Sequence, residues 1–226
     1  MKFQYAWLEN CAEARGTLIV IDVLRAFSTA AYAFAAGAQS ISLVGSVEEA
    51  LALKRQFPDW LILGEVGGLP PAGFDFGNSP SQIREQNLAG RQLIQRTGAG
   101  TQAVVRSVRA ERLLAASFVV ASATLRSVRS AGVLQVTFVL SGGEKNEEDL
   151  ACAQYLQAQF EQLSPDTAAY VQRVYRSDDA RVHLNPLLPE FPESDLDYCT
   201  RIDAFSFAMP VAREDGRLVM RAVPVP

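Results

Sequence analysis

The first concentration of chemistry in the chain is an acid that ends an aliphatic run, Leu18-Ile19-Val20-Ile21-Asp22, followed three residues on by Arg25. A carboxylate after four aliphatic residues is costly unless it is paired, hydrogen-bonded or bound to a metal. The carboxyl end of a buried strand is also where open α/β sheets gather their ligands. Ser28 and Thr29 follow where a helix N-terminus would offer amides to an anion. The same residues also make a structural Asp22–Arg25 pair with Ser28 as a helix cap. An aspartyl-phosphate motif of the Asp-x-Asp kind is excluded, because Leu24 holds the second position.

A second cluster sits in residues 64–80, of which eight are Gly or Pro. That stretch is too long for an ordinary connector and reads as a functional loop. Glu65 and Asp75 offer oxygen to a hard cation. Asn78 and Ser79 either donate to an anion or cap the helix that follows. Further on, Gly98-Ala99-Gly100-Thr101-Gln102-Ala103 is a relaxed Gly-x-Gly-x-x-Ala turn. A dinucleotide site wants an acid about twenty residues later, at the end of the next strand. Ser117, Ala121 and Ser122 stand there, so Thr97, Gly100 and Thr101 suit a small phosphate or sulfonate better. Glu147, Glu148 and Asp149 open a long helix, where acids complement the dipole and also offer metal ligands. Arg201 and Asp203 read as a salt bridge or an anion clamp.

Other chemistries are narrowed by counting. One histidine, His183, rules out two-histidine zinc motifs, and the spacing of Cys11, Cys152 and Cys199 matches neither a zinc site nor a disulfide framework. No cysteine opens a Cys-x5-Arg phosphate loop. Chemistry therefore rests on carboxylates, arginines, hydroxyls and backbone amides. The 226 residues carry a net charge of −4, which argues against a generally basic nucleic-acid surface. No apolar run approaches the ~20 residues of a membrane span, and the N-terminus lacks a signal region, so a cytoplasmic protein is expected.

These groups need positioning, and the hydrophobic pattern supplies elements for it. Residues 17–23, 39–44 and 60–63 read as strands, with helices over 28–36 and 46–57 between them. That β-α-β-α-β order predicts a parallel sheet with right-handed crossovers. Helices are expected over 81–88, 102–114, 124–130, 145–163 and 165–175, and strands over 93–95, 117–121 and 134–140. The remainder is Pro-rich, then helical over 195–202, and Glu214-Asp215-Gly216 marks a hairpin between 205–211 and 217–223. The expected fold is one α/β domain over residues 1–226. It has a three-layer α/β/α core, a mostly parallel or mixed sheet and a C-terminal β-hairpin.

Several segments together resemble the 2-phosphosulfolactate phosphatase family. They are Ile21-Asp22-Val23-Leu24-Arg25-Ala26 with Ser28-Thr29, Gly64-Glu65, and Gly73-Phe74-Asp75-Phe76-Gly77-Asn78-Ser79-Pro80. Gly100-Thr101, Glu148-Asp149 with Cys152-Ala153, and Arg201-Ile202-Asp203-Ala204 follow in the family's order. Thr97-Gly98-Ala99-Gly100-Thr101 stands where the family has Thr-Thr-Asn-Gly-Thr. The resemblance implies a Mg²⁺-dependent phosphatase that converts 2-phospho-3-sulfolactate to sulfolactate and phosphate, a step toward coenzyme M. It implies Asp22, Glu65 and Asp75 as catalytic acids, and metal ligands among Asp22, Glu65, Glu148 and Asp149. Arg25 and Arg201 would hold the anions, with Ser28, Thr29, Asn78, Ser79, Thr97, Gly100 and Thr101 as neutral contacts. The implied partner is a small anionic substrate, not a nucleic acid or a membrane, and a homodimer is compatible with it. The alternatives are a phosphatase of this fold on another ester, or a non-catalytic anion-binding protein.

Overall fold

Strand β2 (Gly16–Ile21) shows how the chain folds. Its Leu18 and Val20 enter one hydrophobic core and its Ile19 and Ile21 another, so the strand is buried on both faces. In the computed structural model, residues 1–143 and 146–225 are described. β1 (Lys2–Trp7) precedes β2, and α1 (Ala26–Ala35), β3 (Ser40–Leu43), α2 (Val47–Gln56) and β4 (Leu61–Gly64) follow. After the Gly/Pro-rich loop come α3 (Pro80–Ile83), β5 (Gln92–Arg96), α4 (Gly100–Arg106), β6 (Ala110–Ala116), α5 (Ala121–Ser130) and β7 (Gln135–Leu140). Four helices, α6 (Glu147–Phe160), α7 (Thr167–Arg176), α8 (Asp178–His183) and α9 (Ser194–Cys199), precede β8 (Phe207–Glu214), β9 (Arg217–Met220) and β10 (Val223–Pro224).

The strands form one mixed sheet in the order β1-β7-β2-β6-β8-β9-β3-β5-β4, with β10 on β8. Residues of α1 and α4 fill the core on one face, and residues of α5 and α6 fill it on the other. α2 covers Val44, Ile62 and Ile94 in a smaller cluster. The fold is therefore the expected α/β/α arrangement with a C-terminal hairpin, and that hairpin lies in the middle of the sheet. It joins a parallel block β1-β7-β2-β6 to a parallel block β3-β5-β4 through three antiparallel pairings. Three reversals make the blocks run in opposite senses, so a flat sheet would put their carboxyl ends on opposite edges. Here the ends meet. Gln95 of β5 donates to the Ala26 carbonyl at 2.9 Å, and α4 packs against both β2 and β3.

Several elements depart from the sequence pattern. The helix expected over 102–114 stops at Arg106, where the Ser107 hydroxyl donates to the Ala103 carbonyl at 2.7 Å. The chain then enters β6, paired with β2 from Thr17↔Arg112 to Ile21↔Ala116. The strand expected over 117–121 is instead a 3₁₀ turn, Phe118–Val120. A short Leu-Leu-Ala-Ala run carries no period that separates helix from strand, and the open edge of β2 decides it. Residues 81–88 are helical only as far as Ile83, after which Leu88 and Gly90 donate to the carbonyls of Ala36 and Gly37. Ser28 lies inside α1, not at its cap. Lys145, the expected start of the long helix, lies outside the described residues; α6 runs from Glu147.

The hairpin supplies every pairing between the two blocks, and Met209, Val219 and Met220 on it are buried. A chain ending at residue 206 should therefore show no cooperative thermal melt by circular dichroism. A sharp melt near that of the full chain would show that the blocks associate without it.

Candidate active site

Asp22 follows directly on β2 and is 4% exposed. Its Oδ1 accepts the Ala26 amide at 2.8 Å, which ties the acid to the first turn of α1. A Cβ on Gly100 would lie 2.6 Å from Asp22 Oδ2 and 2.8 Å from the Ala26 side chain, so α4 approaches this closely only with glycine there. Burial pushes the Asp22 carboxyl up to about 6, opposed by the Ala26 amide and the Ser141 hydroxyl, and the charge of Glu65 adds to the rise.

Asp149, in the first turn of α6, stands behind Asp22. Its Oδ1 accepts the Val23 amide at 2.8 Å, and its Oδ2 accepts the amide and hydroxyl of Ser141, each at 3.1 Å. One carboxylate thus fastens the ends of β2 and β7 to α6. Burial and the neighbouring Asp22 hold its carboxyl well above the usual range. Glu148 is also buried, and its Oε1 has no partner among the described residues. Burial, then Asp149 and Asp179, push Glu148 up to about 9.

Glu65 reaches the same place from β4. Gly64 turns there with φ +138°, and a Cβ would lie 1.8 Å from the Arg96 carbonyl. Only glycine lets the chain cross the end of β5 so tightly. Glu65 then accepts the Gly68 amide at 2.8 Å and the Gly98 amide at 2.5 Å, joining two glycine loops.

Asp22, Glu65 and Arg25 line a cavity of about 230 Å³ with Asn78, Ala99, Asp179, His183 and Phe191. Its lining carries three carboxylates, Asp22, Glu65 and Asp179, and the guanidinium of Arg25. Arg25 is 5% exposed, its Nη1 is 2.7 Å from Asp195 Oδ2, and the Phe191 ring covers it at 4.8 Å. His183 presents its Nδ1 to the Pro192 carbonyl at 3.2 Å, and burial followed by the Arg25 charge lowers its pKa. Asp179, His183, Phe191 and Asp195 come from α8, α9 and the irregular segment between them. The sequence offers no period or motif there. The only signal was that His183 is the sole histidine.

The other expected residues are placed as follows. Asp75 is exposed on the far side of β4, accepting from Ile62 N at 2.7 Å and from Lys54 at 3.3 Å. Thr97 and Thr101 are buried and bonded to each other, each backbone amide donating to the other's hydroxyl oxygen, at 2.8 and 3.1 Å. The Ser28 hydroxyl donates to the Val23 carbonyl at 2.8 Å, and the buried Thr29 hydroxyl has no partner among the described residues. Ser79 caps α3 and donates to Asp195 at 2.8 Å. Arg201 does not reach the cavity; it stacks on Tyr198 at 4.2 Å beside a separate surface concavity. Glu148 and Asp149 stand behind the cavity, outside its lining.

Among the described residues no three Asp, Glu, His or Cys side chains form a ready-made metal cage. The donors that do face the cavity are mostly hard oxygens. They are the carboxylates of Asp22, Glu65 and Asp179 and the Asn78 side chain, whose buried Oδ1 has no partner among the described residues, while His183 is the one nitrogen ligand in the lining and has its Nδ1 on the Pro192 carbonyl. One or two carboxylates with water suit Mg²⁺, which keeps much of its hydration shell, and suit zinc poorly.

The buried acids set a pH dependence of stability. Asp22 and Glu148 are both raised in the fold, from 3.8 to about 6 and from 4.5 to about 9. The folded chain therefore holds protons that the unfolded chain has released, and their stabilisation is lost as pH rises through the folded values. In chelator, the melting temperature should fall between pH 5 and pH 9, the window that Glu148 sets. The limit is about 1.4 kcal/mol per pH unit for each proton released. A flat or rising profile would show that these acids are ionised in the fold.

Comparison with known proteins places this arrangement. The family described as 2-phosphosulpholactate phosphatase matches residues 6–214. A "Probable 2-phosphosulfolactate phosphatase" of Bacillus subtilis is 35% identical over 202 residues, which is 88% of this chain and 88% of the relative. Proteins of the same description from Carboxydothermus hydrogenoformans and Thermotoga maritima are 33% identical over 218 residues and 32% over 198. They cover 91% and 84% of this chain, and 90% and 86% of their own lengths. With the match running from β1 to the end of β8, the chain belongs to the 2-phosphosulfolactate phosphatase family.

Proposed function

We propose that the chain is a Mg²⁺-dependent phosphatase that hydrolyses 2-phospho-3-sulfolactate to sulfolactate and phosphate. The observation that supports this best is the pairing of opposites in one small cavity. Asp22 and Glu65 form an anionic wall that would take a cation, and Arg25 faces the cavity with a guanidinium that would take an oxyanion. Asp22 and Glu65, with the Asn78 carbonyl oxygen, would hold Mg²⁺. When bound, the ion would neutralise phosphoryl oxygens and lower the pKa of coordinated water. Arg25 would hold the phosphate or the second anion of the substrate, since a guanidinium meets a tetrahedral oxyanion with two parallel hydrogen bonds. In the reaction the ester P–O bond breaks, water gives its hydroxyl to phosphorus, and the leaving oxygen takes a proton.

One observation favours a second reading, the same hydrolysis on a different small ester. Ala99 lines the cavity where the family pattern has Asn, so a polar contact is missing.

Phosphate release from 2-phosphosulfolactate, measured with Mg²⁺ and with excess EDTA, tests the reading. Turnover should require the ion, and full activity in EDTA would remove the central claim. Release from other esters with phosphosulfolactate ignored would support the second reading, and binding without release would make the chain an anion-binding protein. Asp22→Asn keeps the side chain's size, so folding should survive while kcat falls at least about a hundredfold, the scale of losing one well-placed electrostatic contact. A folded variant with near-normal kcat would move the centre away from Asp22.

A further inference from the structure

An arginine that serves only packing has its donors satisfied by the protein. Arg25 does not. Its Nη1 donates to Asp195 Oδ2 at 2.7 Å and to the Glu190 carbonyl at 3.3 Å. Its Nε and Nη2 have no acceptor among the described residues, and neither nitrogen is sealed from solvent. The ring of Phe191 lies over the guanidinium and fixes its plane. One edge is thus clamped and the other is left for a two-pronged acceptor in the cavity.

The clamp is itself held from behind. Asp195 is fully buried, and its second oxygen accepts the Ser79 hydroxyl at 2.8 Å, the Ser81 amide at 3.0 Å and the Ser81 hydroxyl at 2.5 Å. Both oxygens of the carboxylate are engaged. The geometry points to Asp195 as the positioning residue of the anion site: it orients Arg25, through Oδ2, to grip an oxyanion, while the Ser79–Ser81 turn locks Oδ1. This inference rests on the proposed function only in taking the Arg25 side of the cavity as the oxyanion side.

The test is calorimetric binding of inorganic phosphate, read beside the KM and kcat for ester hydrolysis with Mg²⁺. Asp195→Asn should weaken phosphate binding and raise KM by about tenfold, the scale of a lost charge-assisted hydrogen bond, with kcat changed less. Asp197→Asn makes the same charge change on the exposed side of the same helix and should leave both unchanged. In an Arg25→Ala background, Asp195→Asn should add almost nothing to the loss, because its effect passes through the arginine. A merely structural Asp195 would lower the melting temperature of either background and leave phosphate affinity of the folded chain intact, and that result overturns the assignment. If Asp195→Asn fails to fold, Ser81→Ala keeps the buried charge pair and removes one lock from Oδ1. It should weaken phosphate about threefold, and unchanged affinity there also overturns the assignment. Wild-type chain that takes up no phosphate removes the oxyanion reading of the cavity, and the role of Asp195 with it. Tight phosphate binding without any ester hydrolysis would leave the positioning role standing and remove the phosphatase alone.

Discussion

Negative charge buried without a matching cation is the constraint around which this molecule is built. Asp22, Glu148 and Asp149 are almost wholly removed from water within one small volume. The only lysine or arginine among the buried described residues, Arg25, is committed to Asp195. Desolvated carboxylates in such a group must keep protons, gather amide donors or take a metal ion. The fold supplies the amides of Val23, Ala26 and Ser141 and the hydroxyl of Ser141. These donors are the loose ends of β2, β7 and α1, so the charge problem and the assembly of the site have a common solution. Remaining charge is left for what enters the cavity.

The sheet has to be unusual for those ends to meet. A doubly wound sheet collects its strand ends at one edge because all its strands point one way. Here the two parallel blocks run in opposite senses across the hairpin β8–β9. Their ends converge where α4, which follows β5, starts against Asp22: a Cβ on Gly100 would fall 2.6 Å from the Asp22 carboxylate. The candidate cavity thus lies at a seam between blocks, with Asp22 from one and Glu65 from the other.

What could be read from the sequence follows from this division. Asp22, Arg25 and Glu65 lie within a few residues of strand ends, and strand ends are visible as β-branched runs that stop. Residue type alone does not tell which way a side chain points. Asp75 shares a loop with Glu65, yet it turns back to Ile62 and Lys54, and Thr97 and Thr101 satisfy each other. The wall that holds Asp179, His183, Phe191 and Asp195 was illegible, because its helices are six residues long and carry no complete amphipathic stripe. The strand at 110–116 was masked for a different reason: its partner β2 lies about ninety residues away, beyond any local pattern.

That illegible wall also contacts both Arg25 and the loop that carries Glu65. Residues 184–193 contain no helix or strand. They are held by the His183–Pro192 contact, by Phe191 over Arg25, and by the Glu190 carbonyl on Arg25 Nη1. Phe191 also packs on the Gly68 backbone, whose amide is bonded to Glu65. A segment with no ladder of its own takes its order from such contacts. Arg25 therefore organises the wall through both its clamped edge and its face. The contacts of one aromatic ring and one guanidinium thus join the wall to the loop that carries Glu65.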